Sequence, residues 1–206
     1  KAAVAEPISL NLPFQFDSIL TFRLADRSLR MSKGNLDLAG IKLHLIGASQ
    51  LKTDTHLWDV NIDIADLSKL PIDRAVIPIT IQRGGLKAAV HAQRKAGSPW
   101  AVEGSLGLSK FAGNFQMNSN GLVINGTGAA AADVEFQYAD TFRIKRIVAS
   151  GNATDLNIKY KELFQKPALT ALNFDTQAAF AGDVLQIDRF HAQLAQLEAE
   201  IHGTVF

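Results

Sequence analysis

Hydrophobic residues occupy every second position in run after run of this chain, and this two-residue period constrains the fold more than any other feature. The clearest runs are Leu43/Leu45, Val60/Ile62/Ile64, Ile77/Ile79/Ile81, Val102/Leu106/Leu108, Phe111/Phe115/Met117, Val134/Phe136/Tyr138, Leu172/Phe174/Ala178/Phe180 and Leu197/Ala199/Ile201/Val205. Glycine interrupts two of them, at Gly104 and Gly113. Because successive side chains of a strand point to opposite faces, each run predicts a strand with one apolar and one polar face. An all-β fold follows.

Turn-forming residues separate the runs at spacings suited to β-hairpins. The predicted turns lie at positions 26–28, 33–35, 83–85, 96–99, 118–121 and 181–183, each rich in Gly, Asn, Asp or Ser. These residues tolerate the backbone conformations that tight hairpins require. The pattern therefore predicts an antiparallel meander.

Two short stretches break the two-residue period. Positions 66–71 and 160–167 carry apolar residues at helical spacing, and each ends in proline. Proline cannot continue a helix, so both stretches are predicted to be helices of one or two turns. The predicted fold class is therefore all-β with one or two short helices.

Composition limits the classes of partner. Lys and Arg number 21 against 20 Asp and Glu, so the formal net charge of +1 gives no field that would recruit nucleic acid. The chain has no cysteine, which excludes disulfides and thiolate metal sites and fits an oxidising compartment. It also lacks a run of 18 apolar residues that could cross a bilayer as a helix.

The chain is predicted to form a single β-rich domain over 1–206, cut from a longer repeat protein. Its first seven residues are too short for a signal peptide, and its last residues stop within a strand pattern. No linker or low-complexity segment divides the 206 residues.

The sequence contains matches to catalytic and cofactor-binding motifs, but the surrounding residues do not form the structures that those sites require. The sequence at 126–131 matches G-x-G-x-x-A, but strand alternation resumes at Asp133 where a dinucleotide site needs a helix. Ser49 begins an S-x-x-K sequence without its companion motifs. The five histidines lack metal-ligand spacing, and most fall among the polar alternates. We therefore expect no catalytic residue, no metal and no cofactor.

Four segments resemble the AsmA-like family of bacterial envelope proteins, the AsmA/TamB type. They are residues 36–45, 57–70, 153–158 and 185–194, in which strand alternation is mixed with Asp-Leu and Asn-Ile pairs. The resemblance implies a periplasmic repeat protein with an N-terminal membrane anchor. It further implies a curled, taco-like sheet with an apolar groove that carries phospholipid between the inner and outer membranes.

A one-sided apolar sheet either closes on itself or leaves a groove for a ligand. The side chains predicted to line such a groove, and to bind acyl chains, are Leu43, Val60, Ile62, Val102, Leu106, Phe115, Phe136 and Phe174. A closed β-sandwich would use the same residues as its core, because alternation does not distinguish a partner sheet from a lipid. The expected function is lipid binding and transfer, without catalysis.

Two other functions stay open. Exposed sheet edges could pair with a partner strand, which would make the chain an assembly module for outer-membrane proteins. A closed sandwich could instead bind sugar or protein through its loops.

Basic residues cluster at two places. One cluster is Arg83, Lys87, Arg94 and Lys95, and the other is Arg143, Lys145 and Arg146. Protection of edge strands by charge is the favoured interpretation. Contact with lipid phosphates at a groove rim is the alternative.

Overall fold

The computed structural model describes residues 13–70, 79–182 and 184–205. This part of the chain forms thirteen strands and one short 3-10 turn, Leu67–Lys69. The strands are β1 (Phe14–Arg23), β2 (Ser28–Leu38), β3 (Ile41–Gln50), β4 (Thr55–Ile64), β5 (Ile79–Arg94), β6 (Ala101–Ser119), β7 (Leu122–Tyr138), β8 (Phe142–Asn152), β9 (Leu156–Tyr160), β10 (Phe164–Lys166), β11 (Leu172–Ala181), β12 (Val184–Leu194) and β13 (Leu197–Val205).

All thirteen strands belong to one antiparallel sheet. From β1 to β8 each strand pairs with the next, and the order continues through β11, β12 and β13. The short hairpin β9–β10 branches off this path, because β9 pairs with the first residues of β7. In the part of the chain that the structure describes, the sheet does not close and no closed sandwich is present, so the predicted all-β, antiparallel, curled-sheet fold is confirmed.

The strand register gives the sheet two chemically different faces. One row of directly opposed residues on the apolar face is Leu36, Leu43, Ile62, Ala88, Leu106, Val134 and Ile147. The neighbouring row on the polar face is Asn35, His44, Asn61, Ala89, Ser105, Glu135 and Arg146. Opposed residues of paired strands share a face, so the alternation seen in each strand adds up across the whole sheet.

No second layer covers either face within the described residues. Their only buried apolar side chains are those of Ile64, Leu67, Ala112 and Leu156. The accessible surface is 14286 Å², whereas a compact protein of this mass is expected to expose about 9,400 Å². The described residues therefore form a single sheet whose apolar face is accessible.

Of the six predicted turns, 26–28, 96–99 and 118–121 are confirmed, 33–35 and 83–85 are wrong, and 181–183 includes Asp183, which lies outside the described residues. Asn120 and Gly121 form a two-residue hairpin loop with positive φ at both positions, 52° and 80°, as such a sequence favours. Positions 33–35 and 83–85 lie inside β2 and β5, where the register shifts at β-bulges. Glycine is common at bulges as well as in turns, which explains both errors.

Of the two predicted helices, one is present as a single turn. Leu67–Lys69 is capped by Asp66, whose carboxylate accepts hydrogen bonds from the Ser68 amide at 3.1 Å and hydroxyl at 2.7 Å. Leu67 is buried against β5. Pro71 and Ile77 lie outside the described residues, whereas Ile79 and Ile81 of the same alternation belong to β5.

The second helix prediction, 160–167, is wrong. This segment forms the end of β9, a turn and β10, with Tyr160 opposite Phe164. The positive φ of Lys161, 48°, belongs to that turn. The apolar residues at helical spacing lie on the two strands of a very short hairpin. So few residues give a pattern that fits one helical turn equally well.

A buried lysine holds the branch of the sheet. Lys166 is 1% exposed, and its Nζ donates to the carbonyls of Leu156 at 2.7 Å, Thr154 at 3.0 Å and Pro167 at 3.2 Å. Burial lowers the pKa of Lys166, and the nearby Asp155 carboxylate works against that shift. These hydrogen bonds give partners to backbone carbonyls in the segment between β8 and β9, where strand pairing with β7 is interrupted.

Candidate functional site

All eight residues predicted to line the groove lie on the apolar face. Leu43, Ile62 and Leu106 belong to one row of opposed residues. Val60 and Phe136 belong to the adjacent row, through Val90 and Gly104. The structure thus brings these five side chains onto neighbouring strands of one surface.

The remaining three predicted residues lie farther away on the same face. Val102 is near the first end of β6, Phe115 is near the other end, and Phe174 is on β11. The eight residues therefore line an extended surface rather than one pocket. They do not converge on a single point where a reaction could be catalysed.

Several other apolar-face residues were not identified from the sequence. Val90 lies between Val60 and Gly104, and Ala88 lies between Ile62 and Leu106. The sequence did contain a signal for them, the alternation Leu86, Ala88, Val90, Ala92. Alanine is only weakly hydrophobic, so this alternation is less clear than those of the other strands. Trp58 was missed because its neighbour Leu57 is also apolar, which hides the phase of β4.

Aromatic rings on this face lie over glycines of the neighbouring strands. A Cβ built on Gly47 would be 2.5 Å from Cε3 of the Trp58 indole. Phe174 covers Gly151 in the same way. Each ring thus occupies the space that a side chain on the opposed glycine would fill, and it covers the backbone there.

A polar cluster marks one end of the apolar face. We call it the rim cluster, and it consists of Ser49, Asp54, His56, Trp58, Arg94 and Trp100. Ser49, His56 and Arg94 are directly opposed on β3, β4 and β5, in the row that follows Gly47, Trp58 and Ala92. The register therefore places these polar groups on the apolar side of the sheet, at the ends of its strands.

Hydrogen bonds order the rim cluster. His56 Nε2 is 3.0 Å from Asp54 Oδ1, and His56 Nδ1 is 2.9 Å from Ser49 Oγ. A carboxylate only accepts, so Nε2–H donates to Asp54, and Nδ1 of the neutral ring accepts the Ser49 hydroxyl proton. The Trp58 indole donates to Ser49 Oγ at 3.2 Å.

An ion pair and a ring contact complete the rim cluster. Arg94 Nη2 is 2.9 Å from Asp54 Oδ2. The rings of His56 and Trp100 stack with centroids 5.5 Å apart. Asp54 thus binds the histidine through one oxygen and the guanidinium through the other, which fixes Arg94 at the rim.

Hydrogen bonds connect Ser49 to His56 and His56 to Asp54, as in the catalytic triad of a hydrolase, but the surroundings of Ser49 do not suit catalysis. Ser49 is 6% exposed, and its hydroxyl oxygen already accepts the Trp58 N–H. Ser49 lies in a strand paired on both sides, where backbone N–H groups are used by the ladder and give no oxyanion hole. These hydrogen bonds therefore position the residues of the rim cluster, and they do not activate Ser49 as a nucleophile.

The polar face is neutralised by cross-strand ion pairs. Lys87 pairs with Asp63 at 3.6 Å, and Lys145 pairs with Glu103 at 3.3 Å. Their strands β5 and β8 are interior to the sheet, so the interpretation of these bases as edge protection is wrong. Arg94 differs from them because it lies on the apolar side.

A cavity of about 670 Å³ lies over the middle of the polar face. Small residues Ala89, Ser105 and Gly107 form its floor, and the pairs Lys87–Asp63 and Arg146–Glu135 flank it. Strand alternation predicted that this face is polar, and it made no prediction of the cavity, because the cavity depends on small residues of different strands being opposed in register.

A histidine–carboxylate ladder crosses the last three strands on the polar face. His191 Nε2 is 2.6 Å from Glu198, and its Nδ1 is 3.3 Å from Asp175. The hydrogen bond to Glu198, with that to Asp175, raises the pKa of His191. A bond to the Asp188 carbonyl, helped by Glu200, raises the pKa of His202.

Within 13–70, 79–182 and 184–205, no cluster of three or more histidine and carboxylate side chains is placed to hold a metal ion. None of the helices in these ranges is long and apolar enough to cross a membrane. Comparison with protein-family models, with curated proteins and with solved structures gave no match.

Proposed function

We propose that the protein is a lipid-binding and lipid-transfer module that holds phospholipid acyl chains on its apolar face. The observation that carries the proposal is the continuous apolar face, which spans the sheet and is left uncovered in the described residues. A soluble chain rarely exposes so large an apolar surface unless something binds there.

The dimensions and the energetics suit an acyl chain. A strand of ten residues such as β4 is roughly 34 Å long at about 3.4 Å per residue. Each methylene removed from water contributes about 0.8 kcal/mol, so partial burial of one chain gives useful affinity. Binding of this kind is non-directional and lets a lipid slide along the face, as transfer requires.

The proposal extends to the cellular setting through the sequence resemblance to the AsmA-like family. On that basis the module works in the periplasm, within a longer protein anchored in the inner membrane, and hands phospholipid between the two membranes. The function is transport without a catalytic step, cofactor or nucleic acid.

A matched pair of variants tests the proposal. Leu106 lies on the apolar face and is 38% exposed, so an arginine there can turn its guanidinium into solvent above the open face and leave the strand ladder intact. Ser105 is the adjacent residue on the polar face, near Glu135. We expect mass spectrometry to find phospholipid on the purified parent and on Ser105→Arg, and several-fold less on Leu106→Arg.

Circular dichroism melts accompany the lipid measurement. Equal melting temperatures with selective loss of lipid from Leu106→Arg support binding on the apolar face. A parent protein that carries no lipid and takes none from vesicles contradicts the proposal. Equal lipid on both variants contradicts the assignment to this face.

The alternative function, assembly of outer-membrane proteins by strand pairing, is supported by the two open edges. Among the described residues, β1 and β13 end the sheet, and every residue of β13 is exposed. Unpaired backbone groups on such an edge can accept an added strand. Crosslinking of β13 residues to an extended outer-membrane peptide, in a protein free of lipid, would favour this alternative.

A further inference from the structure

We propose that the rim cluster binds the phosphate-bearing head group of an acyl lipid whose chain lies on the apolar face. This inference rests on the proposed function and adds a polar site and an orientation to it. It starts from Arg94, a cation that the strand register places on the apolar side of the sheet, directly opposite His56.

Arg94 is held in place by Asp54 and keeps N–H donors that a ligand can use. One of its nitrogens, Nη2, pairs with Asp54, and its side chain is 36% exposed. A guanidinium carries five N–H donors in a planar fork, and the contact with one Asp54 oxygen uses only part of them. The same fork binds two phosphate oxygens at once, which suits phosphate monoesters and diesters.

The local charge also favours an anion. Positions 50–56 and 93–100, which include the two turns beside the cluster, contain Lys52, Arg94 and Lys95 against the single carboxylate of Asp54. With His56 neutral, these segments carry a net charge of +2, although the whole chain carries only +1. An anionic head group therefore finds a local excess of positive charge.

Both tryptophans of the protein belong to the rim cluster. Tryptophan favours the boundary between an apolar and a wet environment, because its ring is apolar and its N–H is polar. From Trp58 the apolar side chains Val60, Ile62 and Ile64 follow along β4 for roughly 20 Å at about 3.4 Å per residue. The acyl chain is assigned to this path, with its head group at Arg94.

The two tryptophans make the site directly observable. We would titrate the protein with a lysophospholipid that carries bromine near either the carbonyl end or the methyl end of its chain. Bromine quenches indole fluorescence at short range, so the carbonyl-end label should quench several-fold more strongly. Equal quenching, or stronger quenching by the methyl-end label, would overturn the orientation without any mutation.

A second measurement tests Arg94 itself. The parent should bind lysophosphatidylglycerol about tenfold more tightly than a monoacylglycerol with the same chain, as expected for a charge-assisted bidentate contact. Arg94→Gln should remove this preference. Arg143→Gln is the matched control, because Arg143 lies at the same end of the sheet on the polar face and should leave the preference unchanged.

The outcomes separate this inference from the proposed function. If both lipids bind and Arg94→Gln leaves their ratio unchanged, the head-group site is wrong and the lipid-binding function stands. If neither lipid binds the parent, the proposed function itself fails. If inorganic phosphate alone binds as tightly as the lysophospholipid, the cluster is a phosphate site and not a head-group site.

Discussion

The ring of Phe136 in β7 lies over Gly104, the residue directly opposite it in β6. A Cβ added to Gly104 would come within 2.5 Å of Phe136 Cζ and 2.8 Å of the Ala89 carbonyl oxygen. The glycine that interrupts the apolar alternation of β6 is therefore the space that the aromatic ring of the next strand fills.

We expect Gly104→Ala to destabilise the protein by about 1 to 3 kcal/mol, because the new methyl group displaces the ring or strains the backbone. Urea unfolding would measure the change. Gly107→Ala is the control: its methyl group would meet the flexible end of Asp133 on the polar face, so little change is expected. If shortening the ring by Phe136→Leu does not recover stability in the Gly104→Ala background, the contact is not the cause.

Lys166→Met should destabilise the branch of the sheet by about 2 to 4 kcal/mol, because buried carbonyls of Thr154 and Leu156 lose their donor. Lys159→Met removes only an exposed pair with Glu162 in the turn between β9 and β10 and should cost under about 0.5 kcal/mol. Amide exchange in β9 and β10 would report the loss locally. Similar effects of the two substitutions would contradict the role assigned to Lys166.

The β12–β13 edge should become less stable as the pH rises. The pKa of His191 is raised in the folded state by Glu198 and Asp175, so the protonated ring favours folding. This contribution is fully present below the unfolded pKa of about 6.5 and is lost as the pH rises through the raised folded value. Amide exchange of β13 at several pH values would measure it.

His191→Gln should flatten that pH dependence, with a smaller effect from His202→Gln. His44→Gln is the control, because His44 on β3 bonds Asn35 on β2, many strands away from β13, and should leave the β13 profile unchanged. A profile for His191→Gln that matches the parent would show that the ladder does not control this edge.

An environment-sensitive dye such as ANS should fluoresce strongly with the lipid-free protein, because the apolar face has no covering layer in the described residues. Added phospholipid should displace the dye. A protein that leaves the dye dark while remaining strictly monomeric at high concentration would indicate that this face is covered in solution.

The two-residue alternation determined the strands and their faces. Val60, Ile62 and Ile64, for example, could be assigned to one side of a strand from β4 alone, because side-chain direction along a strand is a local property of the backbone. Asn120–Gly121 likewise specified its hairpin locally. The same local signals failed where one residue type serves two roles, as at Gly34 and Gly84, which lie at bulges and not in turns.

Tertiary structure decided what lies opposite each strand, and this depends on register between distant segments. Alternation in β4 could not tell whether its apolar face meets another sheet or stays open, because that depends on how all thirteen strands connect. Ser49, His56 and Arg94 became neighbours only through the pairing of β3, β4 and β5. The sequence by itself determined a one-sided apolar sheet, and the pairing of strands decided that it stays open with a polar rim, because contacts across a sheet are not encoded in any single strand.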